Sequence, residues 1–209
     1  MPRLSPETWS RRRRHVLVCA WGCFSRDGFH ATSMDQVIEA TGMSSSAVYR
    51  YFRSKDELID ATVEEAFADA ETLFSTLLAE DPPPGPAHVV ARLVEIVASR
   101  RDDEDYDLSR LAMQAWTESL RRPHLRHLVA EYYRTVEAQF ATLARRWCDA
   151  GVVPSGSDPD ALARVFTTLM PGLVVMENLV EHTAASELVA GLVALGRSAP
   201  HAVGPDMSA

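Results

Sequence analysis

Apolar residues return at every third or fourth position along nearly the whole chain, and no alternating apolar and polar run is long enough to make a strand face. That period belongs to amphipathic helices, so the fold is confined to helix packed on helix, an all-α chain. The punctuation divides the chain into nine helices. Ser5-Pro6 supplies a cap followed by a proline at the first helical position, and the helix it opens carries a stripe of Val16, Leu17, Ala20, Cys23 and Phe24. Gly28 stops that helix and places Phe29 to fold back on its last turn. Ser33-x-x-Gln36 is a capping box that opens a short second helix with Met34, Val37 and Ile38 inward. Thr41-Gly42-Met43 turns the chain, and Ser44 caps a short third helix ending near Phe52. A second capping box, Ser54-x-x-Glu57, opens a long fourth helix through Leu58, Thr62, Phe67, Leu73 and Leu77, and the linker DPPPGP stops it.

Longer helices follow, at about 87 to 100, 106 to 121, 123 to 150, 159 to 182 and 186 to 196. Pro123 and Pro159 stand at first helical positions, Asp158 is a natural cap and Gly151 a natural stop. The last dozen residues lack an apolar period and are expected to fray.

The charge is unevenly spread. The whole chain carries −8, which disfavours a polyanionic partner. Residues 1 to 56, however, hold nine Lys/Arg against five acids, so the head is +4 and the remaining body −12. Such an arrangement lets the head meet phosphates while the body stays away from them. The three cysteines make an odd count without zinc spacing; a reduced, cytoplasmic setting is expected, with Cys19 and Cys23 packed inside. RRRRHVLVCAWGCF has the outline of a secretory leader, but no small-x-small site follows and Arg26 and Asp27 come at once, so it is read as a helix. VFTTLMPGLVVMENLV is interrupted by Pro171, Gly172, Glu177 and Asn178 and is too short to span a bilayer, so no membrane partner is expected.

Two short helices joined by a glycine-containing turn, one helix before and a long one after, make a helix-turn-helix in a small bundle. On a helical wheel, Val48 and Phe52 fall together toward the core. Ser46 and Arg50 then point outward with Ala47 near them, while Ser45, Tyr49 and Tyr51 lie on the flanks. That face holds hydroxyls, a guanidinium and phenols without an acid. Arginine can take guanine bidentately in the major groove, serine reads several bases, and a small residue such as Ala47 lets the helix come close. Lys55 is a cation in the first turn of a helix, where the macrodipole disfavours it, and an external phosphate would relieve it. The same logic reaches Arg11 to Arg14 more weakly, since only one or two of four consecutive arginines can face DNA.

The order RHVLVCAWGCFSRDGF, then ATSMDQVIEATGMSSSAVYRYFRSKDEL, resembles the N-terminal domain of TetR-type transcriptional regulators. The matching positions are Val16 and Leu17, Cys19 and Ala20, Phe24, Gly28-Phe29, Thr32-Ser33, Gly42-Met43-Ser44, Val48-Tyr49, Phe52 and Ser54-Lys55-Asp56-Glu57-Leu58. Ser46 departs from a frequent glycine, and Ile38 from a usual alanine. The resemblance implies a DNA-binding domain over 1-56 and a ligand-binding and dimerisation domain over 57-209. It further implies DNA contacts from Thr32, Ser33, Ser44, Ser45, Ser46, Ala47, Tyr49, Arg50, Tyr51 and Lys55, with Thr32, Ser33, Tyr49 and Lys55 on phosphates.

One short reading helix makes few contacts, so a two-fold dimer on a palindromic double-stranded operator is the physical expectation. The apolar faces of the last two helices (Leu162, Val165, Phe166, Leu169, Leu173, Met176, Leu179, Val180; Leu188, Leu192, Leu195) exceed what a small body buries, and the resemblance places the homodimer interface there. Pro171-Gly172 should bend its helix and leave room. Met113, Trp116, Tyr132, Tyr133, Phe140, Phe166, Met170 and Met176 are candidates to line that space against an apolar or aromatic effector. His124, His127 and Glu131 have metal spacing but no further ligand in sequence, so no metal or cofactor is expected. The leading expectation is a small-molecule-released repressor and not an enzyme. An all-α binding protein or enzyme with an incidental basic head is the alternative, disfavoured because no nucleophile-base pair or phosphate loop is present. An activator or a ligand-blind architectural DNA-binding factor is a third.

Overall fold

A computed structural model describes residues 5–99, 106–181 and 184–197, with the side chains of 66, 68–78, 99 and 195–197 outside the description. Among these residues the chain forms α1 (Pro6–Asp27), α2 (Met34–Thr41), α3 (Ser45–Val48), α4 (Lys55–Leu78), α5 (Pro86–Ser99), α6 (Leu108–Ser119), α7 (Pro123–Asp149), α8 (Pro159–Leu179) and α9 (Ala185–Arg197), with no strand. The expected core positions Leu73, Leu77 and Leu195 and the expected frayed tail lie outside the described side chains or residues.

The terminal chemistry acts where the residues predict. Ser5 accepts the Thr8 N–H at 3.3 Å, and Ser33 and Gln36 complete a reciprocal capping box. Gly28 adopts φ 90°, which a side chain would resist, and its N–H returns to the Phe24 carbonyl. Phe29 then stacks edge-on against Phe24 at 5.1 Å. Ser44 is a correction: it has cap geometry but makes no side-chain capping bond, and its hydroxyl instead meets that of Ser46 at 3.3 Å. Ser54 caps the Glu57 N–H, while Glu57 reaches back to the Arg53 N–H and not to Ser54.

Two apolar clusters organise the molecule. The upper one joins Val16, Leu17, Trp21, Phe24, Val48 and Phe52 of the head to Leu58, Ile59 and Val63 of α4, Leu111 of α6 and Leu125 of α7. Each large side chain in it contributes about 1.5–3 kcal/mol by leaving water. The lower one packs α5, α7, α8 and α9 around Leu93, Phe140, Leu143, Trp147, Ala163 and Phe166. Trp147 Nε1 donates to the Pro84 carbonyl at 2.7 Å, pinning the proline-rich linker to α7. α4 and α6 thus pack directly into the head's core.

Candidate nucleic-acid interface and internal cavity

The third helix is one full turn, closed beyond Val48 by the Tyr51 and Phe52 N–H groups, which both return to the Val48 carbonyl at 2.9 and 3.1 Å. Val48 and Phe52 are fully buried beneath it. Ser44, Ser45, Ser46, Tyr49 and Arg50 are exposed, Ala47 is half-buried, and no carboxylate pairs with Arg50 among the described residues. Ser33 is also exposed, with its hydroxyl accepting the Gln36 N–H.

Three expected DNA-contacting residues sit differently. Thr32 is fully buried; its hydroxyl donates to the Gly28 carbonyl at 2.8 Å and also faces the Cys23 carbonyl, so its side chain braces the α1–α2 turn and does not face outward. Tyr51 is only 5% exposed, with its ring 5.4 Å from that of Trp9 and its hydroxyl without a partner. The short three-residue closure of the last turn swings it from the flank into the α1 contact. Lys55 relieves its electrostatic position internally: Nζ donates to the carbonyls of His30 and Thr32 at 3.0 and 3.1 Å. It is therefore a brace between α4 and the turn before α2.

A cavity of about 80 Å³ lies between α4, α5, α6, α7 and α8. By the same measure a water needs roughly 10–15 Å³, so it has room for a small ligand. Trp116, Tyr132, Tyr133 and Met170 line it as expected, and Pro171 forms part of its wall. Met113, Phe140, Phe166 and Met176 do not. Phe140 and Phe166 stack on each other at 5.5 Å in the lower core, Met176 is 39% exposed on the outer side of α8, and Met113 lies on α6 away from the lining. The sequence reading missed Thr62, Val63 and Phe67 of α4, Leu93, Ile96 and Val97 of α5, Leu108, Ser109, Leu111, Ala112 and Ala115 of α6, and Leu173 and Val174 of α8. Their only signal was membership of an apolar stripe. Phe67 stacks on Tyr132 at 4.5 Å, and Tyr132 meets Tyr133 edge-on at 5.2 Å. Burial pushes the Tyr133 phenol far above its usual range and the neighbouring Tyr132 adds to this, while the Trp116 indole beside it pulls the other way. That indole N–H nevertheless reaches no hydrogen-bonding geometry. Among the described residues no carboxylate lines the space.

The family model for the N-terminal domain of bacterial regulatory proteins of the TetR family matches residues 16–62, and that for the C-terminal domain of BetI-type transcriptional repressors matches residues 86–194. The second match alone spans more than half of the chain. The chain belongs to the TetR family. An HTH-type transcriptional repressor of Mycobacterium tuberculosis is 30% identical over 112 residues, an alignment that spans 51% of this chain and 60% of the relative. Among solved structures, Salmonella enterica GusR is 26% identical, with a TM-score of 0.66 over 90% of this chain and 96% of its own. A transcriptional regulator from Saccharomonospora viridis, solved in complex with choline, shares the fold at a TM-score of 0.69 and 24% identity, over 89% and 95% of the two chains.

As a TetR-family transcriptional regulator, the chain has its remaining conspicuous surface on α8 and α9. Val165 (56%), Leu179 (67%) and Val180 (64%) are exposed there, with Val175, Leu192 and Val193 beside them. His124 pairs with Asp60 at 2.9 Å and His127 faces Glu131 at 3.9 Å, and no cluster able to hold a metal occurs among the described residues. No described helix is long and apolar enough to cross a membrane.

Proposed function

We propose that this TetR-family regulator is a repressor that acts in the cytoplasm, without catalysis or a cofactor, as a homodimer on a palindromic operator and leaves it when a small molecule enters the cavity. Residues 1-56 are the DNA-binding head and 57-209 the effector-binding and dimerisation body. The observation that carries this reading is the acid-free outward face of α3 and the turn that closes it: Ser45, Ser46 and Arg50 exposed above a fully buried Val48 and Phe52. Arg50 takes guanine, the serines read neighbouring bases, and Tyr49 and Ser33 meet phosphates. The exposed valines and leucines of α8 and α9 cover one another across a two-fold axis, which places two heads on successive major grooves.

The effector is a mainly apolar molecule, because the described lining is made of aromatic rings and branched aliphatic side chains. Its competitor is a quaternary ammonium ion, the class to which the Saccharomonospora viridis protein's choline belongs, which the rings of Phe67, Trp116, Tyr132 and Tyr133 would hold through their faces. Entry displaces α6 or α4, and both carry that displacement into the head. A gel shift on the duplex upstream of the protein's own gene, repeated at rising salt and with added aromatic compounds or choline, tests the whole reading. Steep loss with salt and release by an aromatic compound support it. Binding that no compound alters removes the switch, and no binding at low salt removes the regulator of DNA.

A further inference from the structure

The four consecutive arginines of α1 divide into two pairs with different surroundings. Arg13 and Arg14 both pair with Glu65 of α4, and their guanidinium groups lie 4.9 Å above the rings of Phe52 and Trp21. They fasten α1 to α4. Arg11 and Arg12 are exposed and pair with no carboxylate among the described residues, Glu7 one turn earlier included. They line an open groove whose other walls are His15, Met43, Ser44 and Ala47, so the free guanidinium groups border the start of the reading helix. His15 Nε2 is held by the Thr41 carbonyl at 3.0 Å, which fixes the groove's floor. Ser44 has a hydroxyl that caps nothing.

We infer that Arg11 and Arg12, with the Ser44 hydroxyl, form a second phosphate-binding rim that seats the DNA backbone flanking the bases read by α3. This rests on the DNA-binding reading of the head and deepens it. Two unpaired guanidinium groups on the wall that abuts the reading helix suit a chain of phosphodiesters, which offers an acceptor pair at each nucleotide. A phosphate contact carries no sequence information. The rim therefore sets affinity, register and salt dependence, and Arg50 is left to choose the bases.

The test uses the full-length protein and two labelled duplexes of roughly 30 base pairs, about three helical turns. One carries the site selected by the wild type and one a scrambled sequence, and binding is followed by fluorescence anisotropy across a salt series. R11A/R12A should weaken both duplexes by the same factor and flatten the plot of log affinity against log salt by roughly 2 for each bound protomer, about 0.9 per lost phosphate contact. Its melting temperature should stay at the wild-type value, and R11K/R12K should restore the slope. R13A/R14A is the structural control and should lower the melting temperature. An unchanged slope in R11A/R12A overturns the rim. If wild type binds and R50A loses its preference for the selected site while R11A/R12A does nothing, the rim fails alone. If wild type binds neither duplex at low salt, the rim and the DNA-binding reading fall together.

Discussion

The Gln114 side-chain oxygen accepts the Phe29 backbone N–H at 2.6 Å, while its amide nitrogen donates to the Phe24 carbonyl at 2.8 Å. One residue of α6 thus completes the hydrogen bonding of the turn that follows α1. Beside it, Glu118 of α6 is only 7% exposed and meets His30 at 3.0 Å, while Lys55 holds the His30 and Thr32 carbonyls from α4. The 28–32 turn is therefore gripped by α4 and α6, two of the five helices that line the cavity. Replacing Gln114 by Leu keeps the bulk but leaves the buried Phe29 N–H unsatisfied, which should cost about 1–3 kcal/mol in urea unfolding. It should also reduce effector-induced release more than it reduces operator binding, a split that a titration of release against effector concentration measures.

Arg50 is expected to choose the sequence. R50A should lose about 1–3 kcal/mol on the preferred operator and relax one position of each half-site, while its melting temperature is unchanged, because the side chain is exposed. Competition binding against singly substituted duplexes checks this.

Much of the head was legible in the sequence because its signals are local. Gly28 with Phe29, the Ser33–Gln36 box and the Val48–Phe52 pair each depend on residues within a turn or two of one another, and each takes the expected place. The inward bonds of Thr32 and Lys55 were not legible: the Thr32 hydroxyl reaches the Gly28 and Cys23 carbonyls, four and nine residues back across the α1–α2 turn, and the carbonyl partners of Lys55 lie 23 and 25 residues away. Tyr51 sits on the wheel between flank and core, and a tightened last turn decides the matter. The cavity was legible only in part. A stripe of Met and aromatic residues identifies a helix's inner face, but whether that face meets a void or another ring depends on which helix lies opposite. Tyr133 thus borders the space, while Phe140, seven residues further along α7, packs on Phe166.

The α8–α9 face supplies a third prediction. V165E/L179E places charges where exposed apolar side chains are expected to meet their two-fold copies, so sedimentation velocity should report a monomer with unchanged helicity. That monomer should bind a single half-site as weakly as scrambled DNA.

Alkaline pH supplies a fourth. Burial raises the Tyr133 phenol in the folded chain, whereas in the unfolded chain it ionises near about 10. Above that pH the folded state holds a proton that the unfolded state has released, so this residue's contribution to stability declines as pH rises and is fully present below it. Y133F should therefore lose less stability than wild type between neutral pH and pH about 11. Urea unfolding at both pH values measures the difference, and equal losses would place the phenol in water.

The central claim is that two copies of α3 and the turn after it read one duplex symmetrically through Ser45, Ser46 and Arg50, and selection of binding sites from random duplexes by the full-length protein tests it most directly. The account predicts a palindromic consensus whose half-sites lie one helical turn, about 10 base pairs, or a multiple of it apart, and which R50A degrades at the same position in both halves. Failure to enrich any sequence, or an asymmetric consensus indifferent to R50A, would contradict it.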